Sequence, residues 1–159
     1  MREQTMLEED MPAIWEYAGE HPSSYAGLSF INSMPGDREP VALKVHFTAR
    51  LDEHLTALRA RVSHPDRVVV ALADHSQAEV AAARPVIEGD VRSWVRGRIP
   101  GFMIGNAIGR VHVSLHALGT DGEDAARQFV ATLRERHDDL VDAEIDYPRQ
   151  LGAETGKDA

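Results

Sequence analysis

The stretch Val41-Ala42-Leu43-Lys44-Val45-His46-Phe47-Thr48 alternates apolar and polar residues almost without a break. Val41, Leu43, Val45 and Phe47 fall on one side of an extended chain and Ala42, Lys44, His46 and Thr48 on the other, the period-two pattern of a strand with one buried face. Arg110 to Ala117 repeats the pattern, with Val111, Val113, Leu115 and Ala117 set against His112, Ser114 and His116. Within the two stretches, Lys44-Val45-His46-Phe47-Thr48 matches Arg110-Val111-His112-Val113-Ser114 by residue class. A second string repeats as well: Leu58-Arg59-Ala60-Arg61-Val62-Ser63-His64 resembles Leu133-Arg134-Glu135-Arg136-His137. Self-similarity of this kind constrains the whole fold.

Working outward, Gly27 to Asn32 reads as a strand, and Met34-Pro35-Gly36-Asp37 supplies the turn that closes a hairpin onto Val41 to Thr48. Leu51, Leu55, Leu58 and Val62 form one helical stripe, with Asp52 and Glu53 where the helix dipole favours acids. His64-Pro65-Asp66 stops that helix, and the β-branched run Arg67 to Ala73 suits a strand buried on both faces. The same order of strand, strand, helix and strand recurs over residues 101–146, with a turn expected at Gly119 to Gly122. The fold expected is therefore α+β: two ββαβ lobes, residues 26–73 and 101–146, by internal duplication, with helices packed on a mainly antiparallel sheet. A helix over residues 76–96 joins the lobes, opening on the capping box Ser76-Gln77-Ala78-Glu79 and interrupted by Pro85. An amphipathic helix and linker occupy residues 1–24, a single domain spans 25–147, and 148–159 is expected to be a flexible tail.

Composition narrows the function. Seventeen Lys+Arg stand against 26 Asp+Glu, a formal charge of −9. That balance argues against a nucleic-acid polymer as partner, because backbone binding depends on cations that neutralise phosphates. The absence of cysteine removes thiolate catalysis, disulfides and cysteine-ligated metals together. No apolar run reaches the length of a membrane span, and the acidic start through Glu8, Glu9 and Asp10 is unlike a signal peptide, so a cytoplasmic protein is expected. No cofactor is implied.

The chemistry-bearing candidates are the strand histidines. His46 and His112 are each followed two residues later by a hydroxyl, Thr48 or Ser114, on the same strand face at ~6.8 Å. This twice-repeated string resembles that of the two-histidine phosphoesterase superfamily. The resemblance implies that His46 and His112 exchange protons on a small cyclic or RNA-type phosphodiester while Thr48 and Ser114 hold its phosphate. The first string departs from the family pattern in ending on Ala49 where leucine is usual. At the level of the whole chain, His21-Pro22-Ser23-Ser24-Tyr25-Ala26-Gly27 and His64-Pro65-Asp66-Arg67 resemble α+β domains of GC-rich bacteria that carry no assigned activity. His112 and His116 are too far apart on one strand, ~13–14 Å, to share a metal without a third element between them; His46 with one of them and a carboxylate is the alternative, and surface histidines with no metal site are the expectation. With no convergent nucleophile, base or phosphate loop, the leading expectation is a non-enzymatic module that binds a protein or peptide through an open sheet face or an edge strand, its acidity suiting a basic partner. A homodimer paired through the 110–117 strand is the remaining expectation.

Overall fold

The structure is a computed structural model that describes residues 2–31, 41–96, 101–117 and 119–146. Helix α1 (Arg2–Glu20) leads into strands β1 (Tyr25–Ile31) and β2 (Ala42–Phe47), helix α2 (Leu51–Arg59) and strand β3 (Val68–Leu72). Helix α3 (Gln77–Val95) is followed by β4 (Gly101–Ala107), β5 (Arg110–His116), α4 (Gly119–His137) and β6 (Val141–Asp146). The class is α+β, with two three-stranded sheets ordered β1-β2-β3 and β4-β5-β6. The proposed 34–37 turn and the 148–159 tail lie outside the described residues. Among those described, no helix is long and apolar enough to cross a membrane.

The chain divides into two compact units, residues 1–85 with 106–110, and 86–105 with 111–159. The division falls at Pro85 within α3. In the first unit the strand face read from the sequence is the buried one: Leu43, Val45 and Phe47 have no exposure. They meet Leu7, Ile14 and Tyr17 from α1, Leu58 from α2 and Val68 from β3 in one core. Each such side chain contributes about 1.5–3 kcal/mol when fully removed from water. The amino-terminal helix is thus a wall of this core. In the second unit the buried set includes Ile87 and Val91 of α3, Val111, Val113 and Leu115 of β5, Phe129 and Leu133 of α4, and Val141 of β6, and Trp94 stacks on Phe129 at 4.3 Å.

Both sheets are mixed. β1 runs antiparallel to β2, and β2 runs parallel to β3; β5 and β6 are likewise parallel. The parallel pairs follow from topology, since a helix between two neighbouring strands returns the chain in the same direction. The expectation of mainly antiparallel pairing holds only for the hairpins. β3 is an outer strand of its sheet, so Val69, Val70 and Ala71 are half-buried where a strand covered on both faces is expected. β5 lies between β4 and β6, which leaves no edge of the 110–117 strand for a second copy to pair with. The capping box forms as read: Ser76 Oγ accepts from the Glu79 amide at 3.2 Å and Glu79 accepts from the Ser76 amide at 2.7 Å.

The duplication holds in topology, with a shift in its register. Arg59 donates to the carbonyl of Val68, and Arg134 to that of Ala143, the same nine-residue reach in both lobes. Val68 pairs with Leu43, and Ala143 with Val113. Counting three residues on along each strand sets His46 in correspondence with His116, four residues past His112 on the same face. The neighbouring strands agree. Gly27 pairs with His46, while a Cβ on Gly101 would lie 3.4 Å from the His116 ring. The strings Gly27-Leu28-Ser29-Phe30 and Gly101-Phe102-Met103-Ile104 then align as a third repeat. Glycine is required at position 27, where φ is +151° and a Cβ would stand 3.1 Å from Ile108.

Candidate functional site

His46 and Thr48 belong to the first unit, His112 and Ser114 to the second. His46 Nε2 shares a hydrogen bond with Ser29 Oγ at 3.1 Å. Burial, aided by the Lys44 ammonium, holds its imidazole below the usual histidine range. Thr48 lies just past β2, where its amide donates to the Ser24 carbonyl at 2.9 Å. The His112 ring sits between two carboxylates, Nδ1 at 3.3 Å from Asp142 and Nε2 at 3.3 Å from Glu144. Ser114 is 3% exposed. A phosphodiester approaching His112 would therefore meet two anions and a hydroxyl withdrawn from solvent.

The same carboxylates define a different surface. β6 is an outer strand among the described residues. Its Asp142, Glu144 and Asp146 side chains, at alternate positions and so on one face, are 53%, 62% and 53% exposed. His116 Nδ1 lies 3.3 Å from Asp146, so the two histidines of β5 and the three acids of β6 form one polar ladder. Among the described residues no group of three or more such side chains is arranged to hold a metal ion. The opposite face of β6 turns Ala143 and Ile145 toward α4, where Arg127, Val130, Ala131 and Arg134 complete a groove of about 410 Å3. Arg134 donates to the Ala143 carbonyl at 3.0 Å within it.

A third site was not signalled by any motif. His54 is 5% exposed although it sits among Asp52, Glu53 and Thr56 on α2. Its ring stacks on Phe47 at 3.9 Å with an interplanar angle of 7°. Nδ1 bonds the Tyr17 hydroxyl at 2.8 Å, and the His21 ring stands edge-on at 5.2 Å. Burial holds the His54 imidazole low and raises the Tyr17 phenol, so both are neutral near neutral pH. A pocket of about 320 Å3 opens here, lined by Tyr17, His21, Ser24, Arg50, Glu53 and His54 among others. Arg50 holds φ at 54°, a left-handed conformation that is uncommon for a residue with a side chain, and offers no side-chain cap to α2. In sequence only the helix stop His21-Pro22-Ser23-Ser24 marks this region; the convergence of His54 on it depends on α1 packing over β2.

These histidines set a pH dependence for folding. His46 and His54 both titrate below their ordinary value near 6.5, so the folded state resists protons that the unfolded chain accepts. Their contribution is complete above about pH 6.5 and is lost as pH falls from there through the folded values. Urea midpoints measured from about pH 8 to about pH 5.5, above the carboxylate range, should fall, and His54→Gln should flatten the curve. An unchanged midpoint across that window would refute the assignment.

No protein-family model matches the chain, and no curated protein matches it.

Proposed function

We propose that the protein is a non-enzymatic binding module that takes an extended, basic segment of a partner protein along the outer edge of β6. The observation that supports this reading is the alternation of Asp142, Glu144 and Asp146, each more than half exposed, on a strand whose far side is unpaired among the described residues. An added strand would use main-chain hydrogen bonds for affinity and alternate side chains for specificity. Cross-strand pairing would set Lys or Arg at every second partner position against the three acids. The intervening side chains would turn toward the groove that Val130, Ala131, Ala143 and Ile145 share with Arg127, Arg134 and Glu144. A net charge of −9 adds long-range attraction for such a segment and makes its capture salt-dependent.

The test is fluorescence anisotropy with a labelled peptide that alternates arginine with alanine or valine, beside a scrambled peptide of the same composition. The alternating peptide should bind more tightly than the scramble, and binding should weaken as salt rises. Combined Asp142→Asn, Glu144→Gln and Asp146→Asn should weaken it about tenfold, given a few tenths to 1 kcal/mol for each partly exposed pair. Equal binding of the two peptides, or no effect of the triple substitution, would refute the reading. So would hydrolysis of a cyclic phosphodiester that disappears in both His46→Ala and His112→Ala.

A further inference from the structure

The pocket between α1 and α2 gathers hydrogen-bond donors from the first turn of α2 and its cap residue. The first donor is side-chain. Tyr17 and His54 are both neutral, and a phenol is the better donor of the pair, so the Tyr17 hydroxyl gives its proton to His54 Nδ1 across the 2.8 Å contact. That fixes the tautomer with the proton on Nε2. No partner for Nε2 is found among the described residues, and no buried side-chain nitrogen among them is left unpaired, so Nε2 opens on the pocket that His54 lines. It is the donor of a side chain only 5% exposed, left for an acceptor that the described residues do not supply.

The second set of donors is main-chain. The first hydrogen bond within α2 runs from the His54 amide to the Arg50 carbonyl at 3.1 Å. The amides of Leu51, Asp52 and Glu53 precede it, at a helix start with no side-chain cap, and of these residues Glu53 lines the pocket. Such a terminus carries the positive end of the helix dipole. The third contribution is charge: the Arg50 guanidinium, 75% exposed on the pocket rim, has only a loose contact with Glu53 at 3.8 Å. The left-handed backbone at Arg50 places that cation at the head of α2. His21 closes the opposite wall with its ring, and Ser24 lies beside it, its hydroxyl donating to the His21 carbonyl at 3.4 Å.

We propose that this pocket binds the phosphoryl group of a small phosphate monoester, with His54 Nε2 and Arg50 as its donors at the positive end of α2. A tetrahedral oxyanion accepts from several directions at once, which suits donors converging from the interior, the rim and a helix end. The volume of about 320 Å3 limits the rest of the ligand to a few heavy atoms beyond the phosphoryl group. Glu53 is the one anion among the described residues of the lining; it competes for Arg50 and must yield it when the ligand enters. The site is independent of the β6 edge, which lies in the other unit.

The probe is inorganic phosphate, followed by proton–nitrogen NMR of the full chain. Saturable shifts should appear at His21, Glu53 and the His54 ring, with acetate at the same ionic strength giving a much weaker response. Arg50→Gly removes the cation while accepting the left-handed backbone and should weaken binding about tenfold. Tyr17→Phe releases the tautomer and should weaken it by a smaller factor, whereas Glu53→Gln should tighten it. Three results would overturn the proposal: no saturable shift at these residues, an equal response to acetate, or phosphate affinity unchanged in Arg50→Gly. An adventitious surface contact would give the last of these, since its affinity would follow ionic strength and not Arg50.

Discussion

Replacing Asp10 with alanine is expected to cost about 3–5 kcal/mol of folding free energy, a large share of the 5–15 kcal/mol typical of a domain. Asp10 belongs to α1 and is 2% exposed. Its carboxylate accepts the Ser63 amide at 2.7 Å, the His64 amide at 3.0 Å and His64 Nδ1 at 3.1 Å. Those amides belong to the connection between α2 and β3, so one side chain ties the amino-terminal helix to the crossover of the first lobe. Without it three donors lose an acceptor that is itself closed to solvent, although Ser63 is exposed and His64 half-buried, and each group left unpaired costs about 1–3 kcal/mol. Asp10→Asn keeps the shape and one acceptor oxygen and should cost less. His64→Gln leaves both amide bonds intact and should cost about 1 kcal/mol, which separates the main-chain clamp from the ion pair. Urea denaturation followed by circular dichroism reads all three. A loss below about 1 kcal/mol in Asp10→Ala would show that the clamp forms without contributing to stability.

The clamp also shows where sequence reading stops. Alternation over 41–48 and 110–117 identified the buried strand faces correctly, because a one-residue slip would turn every valine toward water. The repeated strings gave the two lobes. Asp10 could not be found this way: it follows Glu8 and Glu9 in what looks like a solvated acidic run, and its partners lie 53 and 54 residues further on. The helical stripe of α2 was legible as amphipathic, but the inward pair is His54 and Leu58, with Leu51 and Leu55 half-buried. A histidine outranks two leucines there because Phe47 and Tyr17 offer it a stacking face and a hydrogen bond. Similarly, the glycines at 119 and 122 suggest a turn, yet α4 begins at Gly119 and runs through Gly122; the cost of about 1 kcal/mol for a glycine inside a helix is met by the packing of the helix on β6. For the histidines, local string matching paired His46 with His112, whereas strand register, a property of three elements together, pairs it with His116.

Phe47→Ala is the second substitution expected to have a large effect, about 3–5 kcal/mol. The ring has no exposure and is held on three sides: stacked on His54 at 3.9 Å, edge-on to Tyr17 at 6.1 Å and edge-on to Tyr25 at 6.0 Å. Truncation forfeits the transfer of the ring from water and leaves a cavity whose walls come from two helices and a strand, which cannot all close inward. Phe47→Leu refills most of the volume without the flat face and should cost less, the remainder reporting the aromatic contacts at about 0.5–1.5 kcal/mol. The main-chain bond from the Ala73 amide to the Phe47 carbonyl, 2.9 Å, survives both changes, so β2 and β3 stay paired and the loss is one of packing. The consequence reaches the phosphate pocket, because the face of Phe47 is what positions His54 against Tyr17. In Phe47→Leu, folded at moderate denaturant-free stability, the phosphate response of His54 should weaken while that of Arg50 is retained. Loss of stability in Phe47→Ala with an unaltered His54 response would separate the core from the pocket and show that Tyr17 alone orients the imidazole.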